Sequence, residues 1–179
     1  GHIAAALFSA GRLDLLQREF LAFHLSGGTT EAVLVTPDKS SIFTCRLAAR
    51  TLDLNAGQVV DRVGKSLGLA FPAGAELDKL ARQCDNAVPF RPALKGADCC
   101  LSGLENQCAG LLQQGAEPAV IAKTLFVSLL QVIRGMLQAL FEQYGGLPVV
   151  FAGGVSSNSV LREGLSPYQP VFAANGLSA

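Results

Sequence analysis

The 179-residue chain is half hydrophobic and only 16% charged, with 14 basic and 14 acidic residues that cancel. That composition supplies a core, argues against disorder and excludes a chain-wide electrostatic footprint for nucleic acid, so an RNA partner needs a local patch or a second protein. No signal-peptide pattern opens the chain and no apolar run reaches membrane-span length, which points to a cytoplasmic protein without a membrane partner.

In chain order, Ile3 to Leu16 reads as a helix tail weakened by Gly11. Phe20 to Val35 holds two strand-length segments with Ser26-Gly27-Gly28 at the turn between them, and Ser41 to Ala48 is a third strand. From Asn55 to Leu69, the residues Val59, Val60, Val63 and Leu67 make the apolar stripe of a helix, capped by Asp53 or Asn55. Phe71-Pro72-Ala73-Gly74 breaks that helix. Glu76 to Gln83 is a short helix, Asn86 to Asp98 a loop with two prolines, and Ser102 to Gln114 another helix. The strongest signal runs from Pro118 to Tyr144, where Ile121, Leu125, Leu129, Val132, Met136 and Leu140 recur at helical spacing. Pro118 suits a first turn, and Gly145-Gly146 stops the helix. Val149 to Ala152 is a strand, Asn158 to Leu165 a helix and Pro170 to Ala174 a last strand.

Three strands in hairpin succession, a helix, an insertion, a long helix, then strand, helix and strand give an α/β fold. We expect a mixed five-stranded sheet flanked by helices. The connectivity is that of one lobe of the actin, hexokinase and heat-shock ATPase superfamily, a ribonuclease H-like fold in which nucleotide lies between two lobes. Both ends look cut. Residues 1–16 would be a helix tail belonging to a missing N-terminal lobe, and residues 17–179 the C-terminal lobe, ending short of its last helix. The cysteines are odd in number, with no CxxC pair, and read as buried reduced thiols rather than a disulfide framework or zinc site.

Two segments carry the chemistry. Ala152-Gly153-Gly154-Val155-Ser156-Ser157-Asn158 joins a strand to a helix, where paired glycines let backbone approach a ligand and helix amides can hold an anion. Leu25-Ser26-Gly27-Gly28-Thr29-Thr30 repeats that glycine and hydroxyl pattern at another strand end. Together they suggest a nucleotide clamp. Taken alone, the SGG triplet is equally an ordinary hairpin turn, Asp61 an ion-pair partner of Lys65, Gly74 turn geometry and Asn158 a helix N-cap. His24 reads as a core or interface histidine. With two histidines and no nucleophile elbow, the chain offers nothing for a peptidase.

Six motifs, in order, resemble the TsaD/Gcp family, the tRNA threonylcarbamoyl transferases formerly described as O-sialoglycoprotein endopeptidases or glycoproteases. Gly1-His2-Ile3-Ala4-Ala5 resembles the end of the family's histidine motif, and Leu25 to Thr30 its SGGHT motif. Asn55 to Arg62 resembles AAGEAFDK, and Leu67 to Ala75 resembles LGLxYPGGP. Cys100 to Leu104 resembles FSFSGLK, and Gly153 to Asn158 with Leu161-Arg162 resembles GGVSANxxLR. The resemblance implies transfer of a threonylcarbamoyl group from its adenylate to N6 of the adenosine next to the tRNA anticodon, with partner proteins helping to hold the tRNA. It implies that Ser26, Gly27, Gly28, Asp61, Gly74 and Asn158 bind the adenylate or ATP. It also implies that His2 is one ligand of a divalent metal, iron or zinc, shared with residues outside this chain; otherwise His2 is a helix-end residue or a tag remnant. The chain alone is expected to be inactive. Thr29 replaces the family's histidine, Gln58 its glutamate and Glu105 its lysine. Those departures leave a diverged, non-catalytic nucleotide-binding or scaffold paralogue as the alternative.

Overall fold

The computed structural model describes Leu7 and residues 10–173. His2, the rest of residues 1–6 and the end of the chain from Ala174 lie outside the described residues. Among the described residues there are seven strands, β1 (Phe20–Leu25), β2 (Thr30–Asp38), β3 (Ile42–Arg50), β4 (Ala93–Lys95), β5 (Asp98–Cys100), β6 (Val149–Ala152) and β7 (Val171–Phe172), and five α-helices. The helices are α1 (Ala56–Ser66), α2 (Gly74–Arg82), α3 (Ser102–Gln113), α4 (Pro118–Tyr144) and α5 (Ser159–Leu165).

The main sheet has five strands in the order β3-β2-β1-β6-β7. The β1–β2 and β2–β3 pairs are antiparallel, while β1–β6 and β6–β7 are parallel. This is the expected mixed sheet. Its central strand β1 alternates between two cores, as the period-2 geometry of a strand requires. Leu21, Phe23 and Leu25 face the large core under the helices, while Phe20 and Ala22 face a smaller cluster with Leu15, Val35, Val150 and Val171. Phe23 stacks near Phe151, with ring centroids 5.0 Å apart, and locks β1 to β6.

Helix α4 is the spine of the large core. Pro118 occupies its first turn, and the Gly145 amide donates to the Phe141 carbonyl at 2.8 Å to close it. The expectation that nothing reaches membrane-span length is corrected here, since α4 is long and apolar enough by composition to cross a bilayer. Its apolar residues have protein to pack against instead, because 67% of its most apolar window is buried. Thr124 and Ser128 are also buried in α4, and their hydroxyls accept the Val88 and Phe90 amides at 2.9 and 3.0 Å. Those two bonds lay the proline-containing segment along the helix.

Two further expectations are corrected. The N-terminal helix does not continue to Leu16. The chain turns at Gly11 with φ +69, the Arg12 amide closes back on the Leu7 carbonyl at 2.8 Å, and Leu13–Gln17 forms a separate 3-10 turn. Glycine at this left-handed position is the usual helix stop. The segment from Asn86 to Asp98 is not all loop, since β4 and β5 form a hairpin across Gly96-Ala97, with Lys95 paired to Asp98. All of β4 is exposed, so it lacks the apolar alternation that identifies a strand from sequence. Of the cysteines, only Cys99 and Cys108 are buried; all five are free, and Cys45 is exposed.

Asp53 ties the sheet to α3. Its carboxylate accepts the Leu101 amide at 2.7 Å, the Ser102 amide at 3.2 Å and the Ser102 hydroxyl at 2.7 Å. Partial burial pushes its pKa up, but these bonds and one from the Leu54 amide outweigh it and hold the group below the ordinary value of 3.8.

Candidate functional site

Because β1 and β6 are parallel neighbours, their carboxyl ends deliver the Ser26-Gly27-Gly28 and Gly153–Asn158 turns to the same edge of the sheet. Open α/β sheets bind ligands at that edge. A cleft of about 480 Å³ lies there, lined by Ser26, Gly27, Gly57, Asp61, Pro72, Gly74, Asp78, Lys79, Arg82, Gly154, Ser157 and Asn158 among others. Five of the six residues expected to bind nucleotide therefore share one cleft. Gly28 does not line it and stands exposed at the tip of its turn.

The first turn is built locally. The Ser26 amide donates to the Thr29 carbonyl at 2.8 Å, and the Thr29 amide donates to Ser26 Oγ at 3.1 Å. The Gly27 and Gly28 amides make no hydrogen bond among the described residues and remain as donors. Helix α1 then starts directly on this turn. The Ala56 amide donates to Thr30 Oγ1 at 2.8 Å and the Gly57 amide to the Ser26 carbonyl at 3.0 Å. A Cβ at Gly57 would overlap the backbone of Ser26 and Gly27, so glycine is required for this approach. Gln58 serves the cap that a glutamate would serve there, its Oε1 accepting the Asn55 amide at 2.8 Å.

Asp61 sits one turn further along α1. Its Oδ1 accepts the Ala73 amide at 3.0 Å and fastens the Phe71-Pro72-Ala73 turn to the helix. The ion pair with Lys65 does not form, and Arg62 binds Glu105 instead at 3.2 Å. The carboxylate is half-buried at the cleft, and its second oxygen makes no hydrogen bond among the described residues.

The second turn requires one correction. At the start of α5 the Ser159 and Leu161 amides are already taken within the protein. Ser159 donates its amide to Asp78 Oδ1 at 3.1 Å, and the Leu161 amide donates to Asn158 Oδ1 at 3.0 Å. The anion at this helix start is the protein's own Asp78, which also accepts from Asn158 Nδ2 at 3.0 Å and Ser159 Oγ at 2.6 Å. Asn158 is thus an N-cap that also lines the cleft. Gly153 has φ +97 and packs so closely on the Leu25 carbonyl that no side chain fits, which joins the two turns. Arg162 Nε donates to the Ser156 carbonyl at 3.2 Å, and its guanidinium lies 4.6 Å from the Phe172 ring centroid, fixing the turn from behind.

Asp78, Lys79 and Arg82 were not expected at the site. The sequence shows only a short helix there, along which Glu76–Lys79 and Asp78–Arg82 pair. Only the packing of α2 against α5 reveals the role of Asp78. The one expected metal ligand, His2, lies outside the described residues. Among the described residues no three His, Cys, Asp or Glu side chains come together as a metal site.

A family model described as "TsaD: tRNA N6-adenosine threonylcarbamoyltransferase" matches residues 1–174. The chain belongs to the TsaD family. A TsaD relative from Thermus thermophilus is 33% identical over 166 residues, covering 91% of this chain and 49% of the relative. One from Sulfurihydrogenibium sp. is 34% identical over 168 residues, covering 90% and 49%. Both are named tRNA N6-adenosine threonylcarbamoyltransferase. The chain spans about half the length of the curated relatives it matches. Among solved structures, T. kodakarensis HypF is similar with a TM-score of 0.68 at 14% identity, over 96% of this chain and 32% of that one. The activator of the 2-hydroxyisocaproyl-CoA dehydratase from Clostridium difficile, solved with bound ADPNP, gives 0.57 at 15% identity over 99% and 63%. At these identities the likeness is one of fold, and it bears out the expected ATPase-like lobe.

Proposed function

We propose that the full-length TsaD protein containing this segment transfers a threonylcarbamoyl group from its adenylate to N6 of the adenosine beside the tRNA anticodon. The observation that supports this reading is the convergence on one cleft of four motif segments, Ser26-Gly27, Asp61, Gly74 and Gly154 to Asn158. The Gly27 amide would hold the adenylate phosphate. The second oxygen of Asp61 would accept from a ribose hydroxyl. Gly74, lacking a side chain, would leave room for the nucleoside, and Asn158 would use its remaining amide hydrogen. Held this way, the acyl carbon of the mixed anhydride is presented to the adenosine amine, and orientation is this lobe's contribution to rate. The bond from the acyl carbon to the phosphate oxygen breaks as the new N–C bond forms, AMP leaves, and the amine's proton passes to solvent.

Residues 1–16 would belong with the preceding lobe and residues 17–179 would form the C-terminal one. His2, with residues beyond this chain, would hold the iron or zinc ion, which when bound polarises the acyl donor. The chain carries no net charge, so partner proteins would supply much of the tRNA surface.

The test is transfer by the full-length protein with adenylate and tRNA, alongside ATP titration of wild type and Asp61→Ala. We expect transfer by wild type and a loss of about 1.5–3 kcal/mol in ATP affinity for the variant, the scale of a hydrogen bond to a charged group. ATP binding without transfer would move the assignment to a nucleotide-binding scaffold. Absence of both would end the nucleotide reading.

A further inference from the structure

Phe71 is the most exposed large hydrophobic residue among those described, at 83%. It stands immediately before Pro72, which lines the cleft, yet is not itself part of the lining. An exposed phenylalanine needs no explanation by itself. This one, however, is held out by a fixed backbone. Two residues earlier, Leu69 packs on the large core and its amide is bonded to the Gly64 carbonyl at 2.9 Å. Two residues later, Ala73 is buried and its amide is bonded to Asp61. Both flanks are anchored to the same helix α1, so the ring at the apex is placed beside the cleft mouth rather than left on a free loop. Lys79 and Arg82 line the cleft beside Pro72; Lys79 pairs with exposed Glu76, while the guanidinium of Arg82 is largely exposed and reaches the mostly buried Asp78 only at 3.7 Å. An exposed pair such as Lys79–Glu76 contributes little, so it costs little for the ammonium to turn to a phosphate.

We propose that Phe71 is a stacking platform for a base of the acceptor RNA at the mouth of the cleft, with Lys79 and Arg82 meeting the adjoining phosphates. This rests on the transferase reading above. An aromatic face accepts any unpaired base, and the acceptor adenosine must leave its neighbours' stack to present its amine to an acyl group inside the cleft. The adenylate's own purine is the other candidate for the ring. Phe71 lies outside the lining of the nucleotide cleft, which assigns the ring to the RNA.

The experiment uses full-length protein and an anticodon stem-loop RNA with 2-aminopurine in place of the acceptor adenosine or its 3′ neighbour. Wild type, Phe71→Tyr and Phe71→Leu are compared by fluorescence, by the RNA dependence of transfer to unlabelled RNA, by ATP titration and by thermal melting. We expect 2-aminopurine fluorescence to change on binding in wild type and Phe71→Tyr but not in Phe71→Leu. The KM for RNA should rise about tenfold in Phe71→Leu, with ATP affinity and Tm unchanged. A weakened ATP affinity in Phe71→Leu would assign the ring to the adenylate's purine and overturn the proposal. A lowered Tm would show that the rest of the full-length protein covers the ring, which also overturns it. Transfer by wild type with the same RNA dependence in Phe71→Leu would sink the stacking proposal and leave the transferase reading standing. Absence of transfer by wild type would instead sink the transferase reading.

Discussion

Gly57→Ala is the most direct probe of how the cleft is built, because the same substitution at Gly110 provides an internal control. Both glycines lie within helices, α1 and α3. At Gly110 an added Cβ meets nothing within 4 Å, so alanine should stabilise by about 0.5–1 kcal/mol through helix propensity alone. At Gly57 the added carbon would run into the Gly27 amide nitrogen and Cα and the Ser26 carbonyl carbon. These are backbone atoms and cannot rotate aside. Inserting one carbon into a packed contact costs about 1–3 kcal/mol. Propensity offsets less than 1 kcal/mol of that, since Gly57 is only the second residue of its helix. Gly57→Ala should therefore fall below wild type and lie about 1–3 kcal/mol below Gly110→Ala. The assay is urea unfolding of the full-length protein, read as shifts in midpoint at constant slope. The clash also displaces Ser26 and Gly27, which line the cleft, so ATP affinity should drop in Gly57→Ala and hold in Gly110→Ala. A Gly57→Ala protein as stable as Gly110→Ala would refute the close helix-to-turn approach. A destabilised Gly57→Ala with wild-type ATP affinity would uncouple the helix start from the ligand site.

Asp78→Ala removes three hydrogen bonds at the start of α5 and should cost about 1.5–3 kcal/mol, with faster hydrogen exchange confined to the amides of α5 as the check. Asp53 has a depressed pKa, so its contribution to stability is present above its ordinary value of 3.8 and lost as pH falls below that through the folded value. The stability gap between wild type and Asp53→Asn should accordingly be widest near neutral pH and close on acidification; a gap independent of pH would contradict the hydrogen-bonding account. Burial pushes the Cys99 and Cys108 thiols up to about 11 and 12. Native alkylation at mildly alkaline pH, mapped by mass spectrometry, should therefore label exposed Cys45 well before either of them.

What the sequence revealed follows from how locally each feature is encoded. The bounds of α4 were readable because Pro118 and Gly145 each act on the turn beside them, and the apolar stripe between them recurs every three or four residues. The two ligand turns were readable for the same reason, since glycine and hydroxyl residues specify backbone shape at the position where they stand. The β4–β5 hairpin was not readable, because an exposed strand is specified by what pairs with it, and its outward anchor is a bridge from Thr51 to Cys99. Asp78 was hidden in the same way, as its partners lie about eighty residues away in the chain.

Asn158 shows why a motif residue need not be either structural or functional. Capping α5 through Oδ1 and binding Asp78 through Nδ2 is what holds it rigidly at the cleft wall. The departures from the family pattern divide along this line. Gln58 still caps α1, and Glu105 has acquired Arg62 as an ion-pair partner, so both leave the scaffold intact. Thr29 differs in kind, because its backbone closes the Ser26 turn whatever side chain it carries. The turn thus keeps its shape while the imidazole is lost, and any consequence of that change falls on chemistry rather than on fold.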